Sequence, residues 1–215
     1  MPYTQSTTVV ALTPRSSVAR TSKRQDVLSG ALTVFARDGY ARASIDVIAA
    51  AAGVSTRTLY NHFGDKAELF RVVIQESAVR VAAAQLAIVE SHLTEITDLE
   101  SDLVAFGIAW RTPIPDFAEH SALVRQINAE AGHLPEDAID AWQEAGPLAV
   151  RRAIADRFAA LAADGLLRID DPLRAALHFS LLISGSNPSY RGGPMPDLAD
   201  TVTTGVHAFL HGYAN

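Results

Sequence analysis

Hydrogen-bond donors suited to nucleic acid are concentrated in one short stretch of this sequence. Arg57 and Asn61 stand four residues apart, so on a helix they lie on the same face. A guanidinium can donate two hydrogen bonds to O6 and N7 of guanine, and a carboxamide can pair similarly with adenine. The phenol of Tyr60, the imidazole of His62 and the ammonium of Lys66 can donate to phosphate oxygens. These side chains are of the types that contact with double-stranded DNA requires.

Each of these side chains also has a less specific interpretation. Arg57 could contact a phosphate rather than a base, and Asn61 could be solvated or bonded to a phosphate. The ring of Tyr60 could simply pack, and Lys66 could be an ordinary surface lysine. Ser55 and Thr58 could serve only to cap a helix. The sequence leaves these alternatives open.

Short helices joined by tight turns are predicted to position these donors. Apolar residues at helical spacing predict a first helix over about 21–37, ended by Gly39. Ser44 is a good N-cap for a short second helix over 45–51. Gly53 supplies the turn that follows, because glycine adopts left-handed backbone conformations without steric cost. This spacing predicts a helix-turn-helix, a motif that places one helix in the DNA major groove.

The third helix of this group carries the donors. It is predicted over 56–63, with Ser55 as N-cap, and its apolar side chains are expected to face the preceding helices. A fourth helix is predicted from Asp65 to about Ser91. Further helices are predicted over 97–111, 116–131, 136–145, 147–164, 171–185 and 196–212. No alternating run indicates a strand, so the predicted fold class is all-α.

Five segments between residues 34 and 70, in the N-terminal part that we call the head, resemble a known family in both order and spacing. They are VFARDGY at 34–40, SIDVIA at 44–49, AGVS at 52–55, TLYNHF at 58–63 and DKAELF at 65–70. Together they resemble the DNA-binding domain of TetR-family transcriptional regulators. The resemblance implies an N-terminal three-helix helix-turn-helix domain followed by a C-terminal helical domain for ligand binding and dimerisation. It divides the chain into a flexible tail over 1–20, a DNA-binding domain over 21–66 and a body over 67–215.

The DNA-binding candidates combine this resemblance with the chemistry of the side chains. They are Arg20, Lys23, Ser44, Ser55, Thr56, Arg57, Thr58, Tyr60, Asn61, His62 and Lys66. Many family members have glycine at the position of Arg57, so this arginine departs from the family pattern. Basic residues at the start of the first helix are expected to follow the DNA backbone or enter the minor groove, with a solvated tail as the alternative.

The charge distribution agrees with a DNA-binding head. Residues 1–66 carry eight Lys and Arg against four Asp, a net charge of +4, within a chain whose net charge is −6. The remaining residues carry ten basic and twenty acidic side chains, a net charge of −10. A basic head on an acidic body suggests that only one end meets a polyanion. A chance excess on solvated faces would give the same count.

The body carries aromatic and apolar residues for which the resemblance implies two roles. The ligand-binding candidates are Phe106, Trp110, Phe117, Arg125, Trp142 and His178. The dimer-interface candidates are Leu173, Leu177, Leu181, Leu198, Val202, Val206, Phe209 and Tyr213. An aromatic side chain at helical spacing is also a common core residue, and an intramolecular core would produce the same apolar stripes. The sequence does not separate these roles.

The predicted function is that of a DNA-binding transcriptional regulator of the cytoplasm, associated with the nucleoid. We expect a homodimeric repressor that binds palindromic operator DNA and is released by a small, largely apolar effector; the alternative is a ligand-independent architectural DNA-binding protein. The sequence has no Gly-Xaa-Ser-Xaa-Gly motif and no phosphate-binding glycine loop, so an enzyme is not expected. With no cysteine and only an isolated histidine pair, no metal or cofactor is predicted. No apolar run approaches the roughly 18 residues of a membrane span.

Overall fold

The protein is all-helical over the residues that its computed structural model describes, 15–184 and 197–213, with side chains described from residue 22 onward. Ten α-helices lie in these ranges: α1 Arg15–Arg42, α2 Ile45–Ala51, α3 Thr56–Phe63, α4 Lys66–Leu93, α5 Leu99–Arg111, α6 Ala118–Glu130, α7 Glu136–Ala145, α8 Pro147–Ala163, α9 Pro172–Leu182 and α10 Leu198–Tyr213. Short 3-10 helices, Pro115–Phe117 and Ala131–His133, flank α6. The predicted all-α fold class is confirmed.

The predicted helix boundaries agree with the structure from α2 onward, whereas the predicted start of α1 is wrong. α1 begins at Arg15 rather than near Thr21, since no glycine or proline interrupts the intervening residues. The predicted end is confirmed as a break: the backbone of Gly39 has φ 76° and ψ 174°, which is not helical. The rest of the predicted tail, residues 1–14, lies outside the described residues.

The first hydrophobic core joins the head to part of the body. It is built around Phe35 of α1 and Phe70 of α4, whose rings meet edge to face at 5.0 Å. Leu123 and Ile127 of α6 and Ala138 of α7 are buried in the same cluster. The first core therefore includes side chains from α4, α6 and α7, which lie beyond the predicted domain boundary at residue 66.

The second core lies at the other end of α4. Phe158 of α8, Phe179 of α9 and Phe209 of α10 meet one another at 5.2–5.5 Å and are almost completely buried. Burying one such side chain stabilises the fold by about 1.5–3 kcal/mol. α4 contributes Val73 and Ile74 to the first core and Val89 to the second, so this helix links the two clusters.

α4 is also long and apolar enough to cross a membrane by length and composition alone. Its 28 residues include an 18-residue window of mean hydropathy 1.5, one third of which is buried in the protein. Uninterrupted apolar runs do not reveal this window, because Glu76 and Arg80 lie within α4. Core helices pass the same test, and the side chains of α4 fill both hydrophobic clusters.

Candidate DNA interface and ligand cavity

The helix-turn-helix is built from local capping interactions. Ser44 precedes α2, and its hydroxyl accepts a hydrogen bond from the Val47 amide at 3.2 Å. Ser55 precedes α3 and accepts from the Thr58 amide, also at 3.2 Å. Between them, Gly53 has a positive φ of 65°. Each cap satisfies an amide that has no partner within its own helix, so the ends of α2 and α3 are fixed.

α3 has one buried face and one exposed face. Leu59 and Phe63 are buried in the first core, as predicted. Arg57, Tyr60 and Asn61 are exposed, and Tyr60 retains 49% of its accessible surface. Thr56 and His62 lie at the edges and are half-buried. The structure therefore brings the predicted base and phosphate contacts together on one solvent-facing surface.

Ser55 and Thr58 interact with each other. Their hydroxyl oxygens are 2.9 Å apart, and Ser55 also caps the backbone of α3. Ser55 therefore caps α3, whether or not it also contacts DNA. A hydroxyl has both donor and acceptor capacity, so Ser55, which is exposed, can still contact a phosphate.

Lys66 is held against the head rather than extended into solvent. Its ammonium lies 4.6 Å from the centre of the Tyr40 ring and 3.4 Å from the Ala41 carbonyl oxygen. Partial burial lowers the pKa of Lys66, and the nearby carboxylate of Glu130 opposes this shift. An ammonium has three donors, so a phosphate contact by Lys66 stays a prediction.

The basic residues of α1 do not form one uniform arm. Lys23 is exposed, whereas Arg24 forms a 2.7 Å ion pair with Glu76 of α4 and lies over the Phe63 ring at 5.6 Å. Arg24 therefore fastens α1 to α4. The side chain of Arg20 lies outside the described residues. Arg42, which is not among the residues predicted to contact DNA, is exposed two residues before Ser44. Its Nε donates to the Asp38 carbonyl oxygen at 2.9 Å.

A polar joint connects the head to α6. One carboxylate oxygen of Glu130 accepts a hydrogen bond from the Ala41 amide at 3.0 Å, beside the backbone break at Gly39. Nearby, the carboxamide of Gln126 donates to the Arg37 carbonyl oxygen at 3.5 Å. The sequence alone suggests that Glu130 lies on a solvated helix face. The structure shows that it is half-buried and also contacts a turn 89 positions earlier.

A cavity of about 900 Å³ lies in the body between α4 and the helices from α5 to α9. Its volume falls within the range of small-molecule sites. Of the predicted ligand-binding residues, Trp110, Phe117, Arg125 and Trp142 line it. The other walls include Ile88 and further apolar side chains of α4 and α8. These four residues are brought together by different helices.

The two remaining ligand-binding candidates do not line this cavity. Phe106 is completely buried in the second core, where it stacks on Phe179 at 5.6 Å. His178 is exposed on α9, and its Nδ1 lies 2.7 Å from the Tyr213 hydroxyl. Helical spacing identified both as body residues but not which side of the helix faces the cavity.

A smaller crevice of about 530 Å³ lies between α1, α4 and the start of α6. His120 and Phe117 line both this crevice and the cavity, so they form the wall between them. The Nδ1 atom of His120 lies 2.9 Å from the hydroxyl of Ser77, a buried polar residue. Burial, with a smaller contribution from the charge of Arg80, lowers the pKa of His120.

The apolar stripes that were predicted to form a dimer interface differ in burial between α9 and α10. Leu173 and Leu181 of α9 are 51% and 61% exposed. Val202, Val206 and Phe209 of α10 have no exposed surface and belong to the second core. The assignment of these three to a dimer interface is therefore corrected: they pack within their own chain. Leu177, Leu198 and Tyr213 are half-buried and keep some accessible surface.

Metal-binding geometry is absent from the described ranges. No group of three His, Cys, Asp or Glu side chains there is arranged to hold an ion. The rings of His207 and His211 approach to 3.9 Å, and Nδ1 of His211 lies 2.8 Å from the His207 carbonyl oxygen.

A capped helix-turn-helix that presents an exposed polar helix, followed by a helical body with a ligand-sized cavity, defines a one-component regulator architecture. The chain belongs to the TetR family of bacterial regulatory proteins. The family model for the TetR N-terminal domain matches residues 27–73, and that for the C-terminal domain of AefR-like transcriptional repressors matches residues 117–215. The resemblance drawn from the head is confirmed, and the second match extends it to the body.

The chain spans less than two thirds of the length of the curated relatives that it matches. The transcriptional repressor AcnR of Corynebacterium glutamicum is 37% identical over 76 residues, 35% of this chain and 39% of that protein. The transcriptional activator FasR of Mycolicibacterium smegmatis is 31% identical over 137 residues, 64% of this chain and 59% of that protein. One of these relatives is named as a repressor and the other as an activator.

Solved structures share the whole architecture. A TetR-family transcriptional regulator from Mesorhizobium loti has a TM-score of 0.73 and 27% identity, with 91% of this chain and 98% of that chain covered. The flavonoid-responsive regulator FrrA has a TM-score of 0.62 and 26% identity, with 90% and 98% covered. These likenesses extend over the body as well as the head.

Proposed function

We propose that this protein is a transcriptional regulator that binds palindromic operator DNA as a homodimer in the cytoplasm and represses until a small molecule releases it. The observation that carries this proposal is the exposed polar face of α3 on a rigid, doubly capped helix-turn-helix. The family to which the chain belongs supports it, as does the repressor name of the AefR-like domain. None of the named relatives is described as an enzyme.

Specific reading of DNA is assigned to α3. Arg57 is exposed in the first turn of that helix, and the N-terminal residues of a recognition helix are those that contact base edges. We assign bidentate contact with guanine to Arg57, and adenine contact to Asn61. Tyr60, His62 and the other predicted polar residues then contact phosphates, which fix the orientation of the helix. Arg42 joins this phosphate-contacting group.

Dimerisation is assigned to the outer face of α9 with the exposed edge of α10. A helix-turn-helix protein reads two half-sites about 34–36 Å apart, so two copies are needed. Leu173 and Leu181 expose more than half of their surface, and Leu177 lies between them on the same face. Leu198 and Tyr213 are half-buried at the ends of α10. The buried residues of α10 support this surface from within rather than contacting the partner.

Release by an effector is assigned to the cavity and to α6. The side chains of Ser121, Val124 and Arg125 on α6 line the cavity, and Glu130 at the end of the same helix bonds to the Ala41 amide of the head. An effector that binds one position of α6 more tightly than another shifts the orientation of the head. It can do so only by its difference in affinity for the two states. FrrA, a structural relative, is named for its response to flavonoids.

The proposal is tested by fluorescence anisotropy with DNA from beside the gene that encodes the chain. We expect saturable binding with two protomers per site, and an affinity for this DNA at least ~1000-fold greater than for random DNA at the same salt concentration. Equal affinity for all sequences, with binding at many unrelated genomic sites, would instead indicate an architectural DNA-binding protein.

A further inference from the structure

The ligand cavity is lined by positive charge without any balancing carboxylate. Arg111, Arg125 and Arg151 lie in its walls, whereas neither Asp nor Glu does. None of the three arginines forms an ion pair with a residue in the part of the chain that the structure describes. His120, the other basic residue of the lining, has a lowered pKa and is expected to be neutral at pH 7. The cavity is therefore cationic.

The two other arginines of α8 are paired. Arg152, which follows Arg151 along α8, forms a bidentate contact with Glu144, at 2.8 and 3.1 Å. Arg157, one helical turn further on, pairs with Glu90 of α4. The same helix thus pairs its two other arginines with carboxylates and leaves the cavity-lining one without a counter-ion among the described residues.

Two hydrogen-bond donors in residues of the cavity wall have no acceptor. The indole nitrogen of Trp142 and the Nε of Arg111 are both buried, and neither has a partner among the described residues. A buried donor without an acceptor destabilises the protein, so such donors are rare in folded chains. Both belong to residues that line the cavity, so its wall contains polar groups that the described residues leave unsatisfied.

The rest of the wall is apolar and aromatic. Trp110 and Phe117 provide flat surfaces, and Ile88, Val150 and Ile154 complete the lining. An inorganic anion would leave these surfaces uncovered, and a neutral hydrocarbon would leave the arginines without a counter-ion. A molecule with an apolar body and an anionic group satisfies both parts of the wall.

We propose that the cavity binds an amphipathic organic anion, in which an aromatic or aliphatic body carries a carboxylate or a similar oxyanion. This inference rests on the proposed function, because it names the chemical class of the effector in the same cavity. The oxyanion lies among Arg111, Arg125 and Arg151, and the apolar body lies against Trp110 and Phe117.

Two dyes that share one aromatic body test the charge requirement. Anilinonaphthalene sulfonate is anionic, and N-phenylnaphthylamine is the same molecule without the sulfonate. We expect the anionic dye to bind one site per protomer at least ~10-fold more tightly, because a charged acceptor forms stronger hydrogen bonds with guanidinium. Both tryptophans of the chain line the cavity, so bound dye should also quench tryptophan emission.

Single substitutions locate the site. Arg151→Gln, and separately Arg125→Gln, which alters an exposed residue, should each weaken binding of the anionic dye by about 10-fold. The affinity for the neutral dye should change by less than about 2-fold in the same variants. Arg168→Gln is the matched control: it removes the same charge from an exposed arginine outside the cavity wall, and it should leave both dyes unaffected.

The outcomes separate this inference from the proposed function when operator binding is measured on the same preparations. Equal affinity for the two dyes, or equal weakening of both by the cavity substitutions, would overturn the anion site even if the protein binds its operator. Failure of the anionic dye to bind saturably would overturn it as well. Charge-dependent dye binding without any sequence-specific DNA binding would support the anion site and contradict the regulator.

Discussion

Gly39 lies at the joint between head and body, and its replacement by alanine is a sharp test of that joint. Its backbone angles, φ 76° and ψ 174°, fall in a region that is essentially restricted to glycine. A Cβ atom there would lie 2.0 Å from one carboxylate oxygen of Glu130. The other carboxylate oxygen accepts the 3.0 Å hydrogen bond from the Ala41 amide. Alanine therefore strains the turn and also displaces its partner.

The expected loss of stability has two parts. Holding alanine in this backbone region costs about 1–3 kcal/mol. Moving the Glu130 carboxylate loses its hydrogen bond to Ala41; because this contact is exposed, water replaces it and the loss is about 1 kcal/mol. Gly39→Ala should thus lower the free energy of unfolding by about 2–4 kcal/mol.

Urea denaturation of four variants checks this reasoning. Gly53→Ala is the matched control, because Gly53 also has a positive φ, 65°, but a Cβ atom added there would meet no other atom within 4 Å. It should cost about 1–2 kcal/mol, the backbone part alone. In a Glu130→Ala background, Gly39→Ala should cost about 1 kcal/mol less than in the wild type. An equal cost in both backgrounds would refute the contact between Gly39 and Glu130 as a source of the effect.

Three further predictions concern DNA binding and pH. Arg57→Ala should weaken binding to specific DNA by about 1–3 kcal/mol in competition anisotropy and relax the preference at one base position. An equal loss of affinity for random DNA would refute base reading. Lys66→Ala should weaken binding to DNA of every sequence and reduce the slope of log affinity against log salt concentration by about one. An unchanged slope would exclude a phosphate contact. Burial, reinforced by Arg80, lowers the pKa of His120, so the folded chain binds this proton less readily than the unfolded chain. The stability that neutral His120 contributes is complete above about pH 6.5 and is lost as the pH falls towards the lower pKa of the folded state. His120→Gln should therefore flatten the decline of the urea midpoint in this pH range. Equal declines in the wild type and the variant would contradict this prediction.

The charges around His120 define how that pH experiment is read. Arg80 opposes protonation, whereas Asp116 and Glu119, which line the same crevice, would favour it. The hydroxyl of Ser77 can accept from a protonated ring as well as donate to a neutral one. The direction of the shift therefore follows from burial first, and the comparison with His120→Gln isolates it from other titrating groups.

Local signals account for the parts of the head that the sequence predicted well. Ser44, Ser55 and Asp65 each cap the next helix through a bond to the third residue along, a pattern that depends only on neighbouring residues. The apolar periodicity of α3 likewise identified Leu59 and Phe63 as its buried face. The element order and the exposed polar surface followed from these signals.

The body was less predictable because its contacts are long-range. A stripe of apolar residues shows that a helix packs on something but not on what, so Val206 looked like an interface residue and is core. Glu130 looked solvated because its partner is 89 positions away. Arg151 and Arg152 are neighbours of the same type, and only the direction of α8 shows that one lines the cavity while the other pairs with Glu144.

The central claim, sequence-specific DNA binding by a regulator, is tested most directly by selecting genomic fragments with the purified protein and sequencing those that bind. We predict a few enriched sites with palindromic half-sites about one helical turn apart, including DNA beside the protein's own gene. Substitution of Arg57 should reduce this enrichment and relax the preference at one base position of each half-site. Uniform coverage of the genome, or no enrichment over input DNA, would contradict the account.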